Sequence, residues 1–326
     1  MSDELTIRRA TPNDRPAILE LLARSLGWER DNRFEGLFEW KHDRGIFGPS
    51  PTWVAMDDDR LAGVRVFLRW GFDWNGRTVR AVRAVDTATD PDYRGRGIFS
   101  RLTLHAVDEM RAEGVSFVFN TPNDQSRPGY LKMGWHLVGR LPASVRPLSI
   151  SGAFRAVRSR VASERFSLQS DVGVPVLDVF DDPGVATLCE SQPSVDGVRT
   201  LVGPDYLRWR FGWSELHYRA VLLTTSPADG LAVLRTRRRG AARETALATV
   251  LVPGNDRAAR RALHRRVAKA VDADWVIGIG GDFETSAGYF PLPRQGPHLT
   301  WRALAEGSSP GPLGAWHLEL GDVELF

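Results

Sequence analysis

The sequence predicts a mixed α/β fold built from layers of strands and helices. Short segments in which apolar and polar residues alternate are typical of half-buried strands, and segments with apolar residues at every third or fourth position are typical of helices. Turn residues separate the two kinds of segment. In the first half their order is β-α-β-β-β-α-β-α-β, which predicts a layered domain with a mixed sheet.

The first predicted strand covers residues 5–10, where apolar and polar side chains alternate. Residues 11–14 (Thr-Pro-Asn-Asp) then provide a helix start. Apolar residues follow at helical spacing: Ala17, Ile18, Leu21, Leu22 and Leu26.

Three more strands are predicted at residues 52–56, 61–72 and 79–88. Asn75 and Gly76 lie between the last two of these strands, and an Asn-Gly pair between alternating segments indicates a hairpin turn. These three strands therefore form a largely antiparallel part of the predicted sheet.

The strand pattern breaks at residues 90–93, and a glycine-rich loop leads into a helix predicted over residues 98–113. Gly114 is a typical stop for that helix. Residues 115–120 read as a short apolar strand. A polar loop, a short helix near Tyr130 and a strand from His136 complete the first half.

The second half repeats the first in outline. Residues 38–41 (Phe-Glu-Trp-Lys) are echoed by residues 207–210 (Leu-Arg-Trp-Arg), and residues 128–131 (Pro-Gly-Tyr-Leu) by residues 287–290 (Ala-Gly-Tyr-Phe). Two such echoes in the same order indicate an internal duplication of one α/β unit.

This duplication predicts a first domain at residues 1–150 and a second at residues 151–326. An amphipathic helix is expected at residues 257–271 and a short strand at residues 275–279. Residues 142–180 show no clear helix and are expected to hold strands and the crossing between the two halves.

Composition and charge exclude several classes of protein. The chain has 326 residues, is 42% hydrophobic and contains no run of about 18 apolar residues, so no membrane span is expected. Its first residues lack the apolar segment of a secretory signal, and a cytoplasmic location is the default expectation. The single cysteine, Cys189, allows no intrachain disulfide, and no spacing of ligands predicts a metal site.

The net charge is only +3, yet arginines are dense at residues 235–239 and 257–266. Charge runs of this kind usually form solvated faces, and we expect that here. The alternative is a basic patch for a phosphate-rich ligand or nucleic acid, which these runs support only weakly.

The most informative segment is Tyr93-Arg-Gly-Arg-Gly-Ile98, which follows a strand and opens a helix. Backbone N–H groups at such a position point at an anion, and the helix dipole favours negative charge there. Arg94 and Arg96 add positive charge. The alternative is a tight turn that binds nothing.

Two other phosphate-binding motifs are excluded. The loop contains no Gly-x-Gly-x-x-Gly, and hairpin-rich strands precede it where a dinucleotide-binding fold would have a parallel β-α-β unit. It also has no Gly-Lys-Ser/Thr step, which a P-loop requires.

Residues 91–98 (Pro-Asp-Tyr-Arg-Gly-Arg-Gly-Ile) resemble the acyl-CoA motif of the GNAT superfamily of N-acetyltransferases, Arg/Gln-x-x-Gly-x-Gly/Ala. Arg94 matches the first position and Gly97 the second. The third position is Phe99, where the family has Gly or Ala.

A second segment, residues 123–135, resembles the later GNAT motif Asn-x-x-Ala…Tyr-x-x-x-Gly-Phe. The residues on matching positions are Asn123, Ser126, Tyr130, Gly134 and Trp135. One predicted helix and one strand separate the two motifs, as in the family, and the resemblance covers residues 4 to about 145.

The resemblance implies that acetyl-CoA binds as co-substrate where the strand ending near Thr89 separates from the strand at residues 115–120. The main chain of Thr87, Ala88 and Thr89 would pair with the pantetheine arm like an added strand. Asn123 would contact the cofactor from the other side. The loop residues expected to hold the pyrophosphate are Arg94, Gly95, Arg96, Gly97, Ile98 and Phe99.

The resemblance also implies that an amine attacks the thioester directly. Tyr130 holds the family's tyrosine position and is the candidate acid for the leaving thiolate; its alternative role is packing against the short helix. Asp86 is the candidate base, because partial burial in an apolar strand would raise its pKa. Alternatively, a neighbour such as Arg83 holds its carboxylate, and a water chain acts as the base.

The second half lacks the loop, since residues 252–257 read Val-Pro-Gly-Asn-Asp-Arg and place Asp256 where a pyrophosphate would lie. We expect a degenerate second GNAT-like domain that binds no CoA and shapes the acceptor site. The acceptor is a small-molecule or peptide amine, and the sequence leaves its identity, the acyl-chain preference and the oligomeric state open, a homodimer included.

Two other hypotheses stay open. The chain could be a non-catalytic acyl-CoA-binding sensor or interaction scaffold, which would bind the thioester without transfer. It could also transfer from an aminoacyl-tRNA, for which the arginine-rich second half is the only support and salt-dependent RNA binding the sign.

Overall fold

The structure, a computed structural model, describes residues 5–27, 32–158, 161–280 and 283–324. These residues fall into two compact units, each with its own sheet. The first unit comprises Met1–Phe72, Arg77–Gly139 and His298–Pro310, and the second comprises Asp73–Gly76, Arg140–Pro297 and Gly311–Phe326.

The first unit is a seven-stranded sheet with four helices. Its strands are β1 (Thr6–Arg9), β2 (Thr52–Asp57), β3 (Arg60–Trp74), β4 (Arg77–Thr89), β5 (Phe117–Asn120), β6 (His136–Arg140) and, from late in the chain, β15 (His298–Ala303). Its helices are α1 (Arg15–Leu26), α2 (Asn32–Phe38), α3 (Ile98–Ala112) and α4 (Arg127–Lys132).

The strand order in this sheet is β1-β2-β3-β4-β5-β15-β6. The β4–β5 pair is parallel, whereas the β1–β2, β2–β3 and β5–β15 pairs are antiparallel. The sheet is therefore mixed, as the sequence predicts, and every strand and helix predicted for residues 5–140 is present.

Helix α3 packs closely against the sheet of the first unit. Its buried face includes Ile98, Leu102 and Met110, which belong to the main apolar cluster of this unit. A Cβ atom built on Gly63 of β3 would lie 2.7 Å from Ile98 Cγ2, so only glycine allows the helix this close. This packing fixes the start of α3 over the middle of the sheet.

The second unit has the same plan. Its main sheet contains β7 (Ala143–Pro147), β8 (Val174–Pro175), β10 (Arg219–Leu222), β11 (Leu231–Arg239), β12 (Ala242–Leu251), β13 (Trp275–Ile279) and β14 (Phe290–Pro291), and β9 (Val198–Thr200) pairs with β16 (Trp316–His317). Its helices are α5 (Ile150–Arg158), α6 (Leu177–Phe180), α7 (Pro183–Glu190), α8 (Pro204–Phe211), α9 (Arg257–Ala270) and α10 (Leu320–Val323).

The order β8-β10-β11-β12-β13-β7-β14 reproduces that of the first sheet. The parallel pair β12–β13 corresponds to β4–β5, and α9 precedes β13 as α3 precedes β5. In each sheet the strand beside this pair comes from the other half of the sequence, β15 in the first unit and β7 in the second. The predicted second GNAT-like half is thus present, with α9 and β13 where expected.

Two expectations were wrong. Residues 150–158 form α5, although no clear helix was expected between residues 142 and 180. The run 235–239 is not a solvated face, because its first three residues lie in the part of β11 that is buried on both faces. Arg235 and Arg237 are buried, and Arg237 Nη2 forms an ion pair with Glu244 at 2.7 Å.

Among the residues that the structure describes, no helix combines the length and the apolar character needed to cross a membrane.

Candidate active site

The glycine-rich loop enters α3 through two left-handed residues. Asp90 accepts a hydrogen bond from the Asp92 backbone N at 3.0 Å and starts the turn after β4. Gly95 has φ 81° and Gly97 has φ 70°, values that side-chain-bearing residues rarely adopt. The two glycines are therefore needed for the path of the chain into the helix.

The start of α3 is open to an incoming anion. Its N-cap is Gly97, which has no side chain to cap the helix, and a Cβ atom built on Gly95 or Gly97 meets nothing within 4 Å. The first N–H groups of a helix have no partner within it. Arg94 and Arg96 are exposed beside them, so charge and donors meet at one place.

The pairing of the two parallel strands beside this loop ends before β4 does. In the parallel pair the register is Ala81↔Phe117, Val82↔Val118 and Arg83↔Phe119. Beyond Arg83, β4 continues to Thr89, whereas β5 ends at Asn120. The predicted pantetheine-binding residues Thr87, Ala88 and Thr89 therefore lie past the last β4–β5 pair.

Tyr130 lies in α4 and is buried, with 3% of its surface exposed. Its phenol oxygen accepts a hydrogen bond from Arg65 Nη2 at 2.7 Å, and Arg65 of β3 is itself fully buried. The tyrosine is thus held by a buried cation as well as by packing. Arg65 was missed in the sequence, where it stands in an apolar strand without a motif.

Phe99, the departure from the family motif, forms a wall beside Tyr130. The two rings pack edge to face with centroids 5.3 Å apart. A Cβ atom built on Gly129 would lie 3.0 Å from Phe99 Cε1, so Gly129 leaves room for this ring. Phe99 therefore packs against α4 as well as belonging to the predicted loop.

Asp86, the candidate base, is held by two cationic or hydrogen-bonding neighbours from another part of the chain. Its Oδ2 atom lies 2.7 Å from Lys41 Nζ and 2.7 Å from His42 Nε2. Arg83, the neighbour considered from the sequence, instead donates from Nη2 to Thr121 Oγ1 at 2.9 Å. Asp86 also has a left-handed backbone, φ 33°, which interrupts the regular strand.

The expected direction of the Asp86 pKa was wrong. Burial alone raises it, but the Lys41 charge and the hydrogen bond from His42 outweigh burial, so the pKa lies below its ordinary value. For His42, burial dominates and lowers the pKa in spite of Asp86. The pair therefore contains an ionised carboxylate beside a neutral imidazole.

Asn123 stabilises the turn that leads into the short helix carrying Tyr130. Its Oδ1 atom accepts hydrogen bonds from Ser126 N at 2.8 Å and from Ser126 Oγ at 2.9 Å. The side chain is exposed at the start of α4. Its predicted contact with the cofactor stays a prediction.

The second unit closes the equivalent helix start with its own carboxylate. Asp256 is the N-cap of α9, and its Oδ1 atom accepts a hydrogen bond from Ala259 N at 2.7 Å. Gly254, two residues earlier, has φ 60°. The second unit therefore keeps the left-handed turn before its helix, but the start of α9 is not open as that of α3 is.

A cavity of about 570 Å³ lies in the second unit where β12 and β13 separate. Its walls include Leu251, Ile279 and the buried His264. Glu319 lies beside β12, where its carboxylate accepts hydrogen bonds from Val250 N at 3.4 Å and from Thr249 Oγ1. The Glu319 side chain thus fills part of the space beside β12.

Within the described parts of the chain, no group of three or more His, Cys, Asp or Glu side chains is arranged to hold a metal ion.

Comparison with known protein families gives one match, in the first half of the sequence. Residues 6–138 match the acetyltransferase (GNAT) domain family. A search of curated proteins gave no significant match.

Solved structures share the fold over most of the chain. A GCN5-related N-acetyltransferase from Anabaena variabilis has a TM-score of 0.66 at 12% identity, covering 93% of this chain and 73% of its own. One from Kribbella flavida gives 0.59 at 18% identity, with 92% and 72% covered. Eis1 from Mycobacterium abscessus gives 0.56 at 15% identity, with 92% and 74% covered. Residues 6–138 of this chain therefore match the GNAT acetyltransferase domain, and the chain as a whole shares its fold with these solved N-acetyltransferase structures.

Proposed function

We propose that the chain is an N-acetyltransferase that moves an acetyl group from acetyl-CoA to a primary amine by direct attack on the thioester. The observation that carries this proposal is the uncapped start of α3 at Gly97, which follows the part of β4 that extends past its pairing with β5. The match of residues 6–138 to the GNAT acetyltransferase domain supports the reaction class, and the side chains around Tyr130 and Asp86 support catalysis.

The residues of the loop fit a pyrophosphate. Open space above Gly95 and Gly97 lets oxygen atoms approach the backbone N–H groups, and the α3 dipole favours negative charge there. Arg94 and Arg96 supply cations at the exposed rim. Ile98 and Phe99 contribute the first backbone donors of the helix.

Thr87, Ala88 and Thr89 fit the pantetheine arm, because they extend β4 past the end of its pairing with β5. An extended amide-bearing chain pairs with such a strand as an added strand would. Asn123, at the start of α4, is the candidate contact on the opposite side.

Tyr130 is proposed as the acid. The Arg65 guanidinium can only donate, so the phenol oxygen accepts from Arg65 and its own proton remains for the leaving thiolate. Asp86 is proposed to act where the amine binds. Because its pKa is low, its carboxylate stays ionised and can stabilise a positive charge on a neighbouring side chain.

The second unit is proposed to bind no CoA. The Asp256 carboxylate already occupies the helix start, and it would repel a pyrophosphate. Binding should therefore saturate at one acetyl-CoA per chain.

Titration calorimetry of acetyl-CoA tests this proposal. We expect Gly97→Glu to abolish binding or weaken it at least tenfold, because it places a carboxylate at the phosphate position. Gly254→Glu is the matched control, since Gly254 has a similar φ and equally open surroundings in the second unit. No binding to the wild type, or equal loss in both variants, would contradict the proposed site.

A screen of primary amines, followed as thiol release from acetyl-CoA, tests the reaction. The alternative, a non-catalytic acyl-CoA sensor, is favoured by one observation, the low pKa of the candidate base. Tight binding of acetyl-CoA with no amine-dependent thiol release across the screen would support the sensor.

A further inference from the structure

Four side chains of the first unit form one continuous chain of hydrogen bonds around Asp86. Lys41 Nζ and His42 Nε2 each lie 2.7 Å from Asp86 Oδ2, and His42 Nδ1 lies 3.0 Å from Ser50 Oγ. Lys41 and His42 are 1% and 2% exposed, whereas Ser50 is only partly buried. Ser50 is therefore the end of this chain that solvent or substrate can reach.

The backbone holds these groups in place. Lys41 and His42 lie in a π-helical turn, Glu39–Asp43, which continues α2 and turns both side chains inward. π-helical turns are rare in proteins, but those that occur often lie at functional sites. The Ser50 backbone N donates to the His42 carbonyl oxygen at 2.7 Å, which ties the serine loop to the same turn.

The positions of the protons follow from the partners. A lysine ammonium only donates, and an ionised carboxylate only accepts. His42 Nε2 must then donate to Asp86, which leaves Nδ1 of a neutral imidazole as an acceptor. The Ser50 hydroxyl therefore donates to Nδ1, giving the order Ser50 Oγ–H, His42, Asp86.

The charges around His42 keep its imidazole neutral. Asp86 faces it from β4, with Lys41 and Asp43 on its own turn, and Arg15 of α1 is paired with Asp43. Lys41 and Asp86 already neutralise one another. A second buried cation on His42 would lack a full counter-charge, so a proton taken up there is readily released.

We propose that Ser50 and His42 form the proton relay that serves as base in the acetyl transfer, with Asp86 and Lys41 as positioning residues. This inference rests on the proposed function of the same site. Serine linked to a neutral histidine and an ionised aspartate is a chain that can accept a proton at its serine end.

The proton balance is simple. As the amine nitrogen bonds to the acetyl carbon, its N–H bond breaks and a new O–H bond forms at Ser50 Oγ. The former hydroxyl proton of Ser50 moves to His42 Nδ1, and Asp86 stabilises the imidazolium. The carbon–sulfur bond breaks, and the departing CoA thiolate takes the Tyr130 proton. After product leaves, the His42 proton returns through Ser50 to solvent, and solvent reprotonates the Tyr130 phenolate.

The first experiment needs no acceptor. In ¹⁵N-histidine NMR spectra of the full chain at pH 7, the His42 signals, assigned by their loss in His42→Gln, should show Nε2 protonated and Nδ1 unprotonated. A charged imidazolium, or a proton on Nδ1, would overturn the relay even if acetyl-CoA binds.

The second experiment uses the amine that gives the fastest turnover in the screen. Ser50→Ala should lower kcat about 100-fold at pH 7 with acetyl-CoA affinity unchanged. Its kcat should recover at high pH, where hydroxide can take the amine proton in place of Ser50. Ser50→Thr keeps a hydroxyl and should retain most of the activity.

An unchanged kcat and pH profile in Ser50→Ala would overturn the proposal. A uniform loss at every pH that Ser50→Thr shares would also overturn it, because that result indicates a structural role. If the wild type binds no acetyl-CoA, the proposed function fails, and the NMR result still decides the proton order.

Discussion

The Arg65 guanidinium donates from Nη2 to the Tyr130 phenol oxygen at 2.7 Å, in a place where both side chains are buried. The rings of Phe67, Phe99 and Tyr130 surround this guanidinium at 5.0–5.5 Å. Within the described residues its Nε and Nη1 atoms are buried with no hydrogen-bond partner. Arg65 thus fixes which way the Tyr130 proton can point, although it is poorly solvated itself.

Tyr130→Phe should lower kcat by about 100-fold or more, because it removes a positioned acid, and should leave acetyl-CoA affinity unchanged. Steady-state kinetics and calorimetry measure the two effects. Tyr289→Phe is the matched control, since Tyr289 is the corresponding tyrosine of the second unit and its buried hydroxyl has no hydrogen-bond partner among the described residues. Equal kcat in Tyr130→Phe and the wild type would rule out Tyr130 as the acid.

Arg65→Met should preserve the stability of the protein while lowering its activity. Removing a buried cation that lacks full hydrogen bonding is expected to keep or raise the free energy of unfolding, within about 1 kcal/mol of the wild type or above it. It should also lower kcat at least tenfold, because the Tyr130 hydroxyl can then rotate. Urea unfolding and kinetics check both; a loss of several kcal/mol with kcat preserved would assign Arg65 a purely structural role.

The loop and Tyr130 could be predicted from the sequence because each lies in a local motif. Two closely spaced glycines such as Gly95 and Gly97 indicate a strand-to-helix turn from the local sequence alone. Tyr130 lies at the spacing from Asn123 and Gly134 that the family motif gives. Lys41 and His42 have no such mark, since they reach Asp86 only when residues more than 40 positions apart fold together.

The sequence around Arg65 contains one signal that could have identified this residue. It stands in Gly-Val-Arg-Val-Phe, residues 63–67, where its neighbours predict a buried strand. A charge within such a strand needs a reason, and the same argument had selected Asp86. The direction of the Asp86 pKa could not be predicted, because burial and ion pairing act in opposite directions and the sequence shows only burial.

Gly63→Ala should destabilise the first unit by about 1–3 kcal/mol, because an added methyl group forces α3 off the sheet. The new Cβ atom would lie 2.7 Å from Ile98 Cγ2. Gly314→Ala is the control, since a Cβ atom there meets nothing within 4 Å and its φ is not positive. Urea unfolding at pH 7 compares them, and equal stability would mean that α3 is not closely packed at Ile98.

Stability of the second unit should fall in mild acid because of His264. This residue of α9 is 1% exposed and its ring stacks on Phe283 with centroids 5.3 Å apart. Burial, together with the charges of Arg260 and Arg146, lowers its pKa to about 4. The unfolded chain binds a proton at this site below about pH 6.5, whereas the folded chain resists it until about pH 4.

The contribution of neutral His264 to the free energy of unfolding is therefore complete above about pH 6.5 and is lost as the pH falls towards 4. Between pH 7 and pH 4.5 the wild type should lose about 2–3 kcal/mol of unfolding free energy more than His264→Gln does. His136→Gln, at an exposed histidine, should follow the wild type. Urea unfolding of the three proteins at both pH values measures this difference; parallel losses in His264→Gln and the wild type would show that His264 takes up its proton in the folded chain as readily as in the unfolded one.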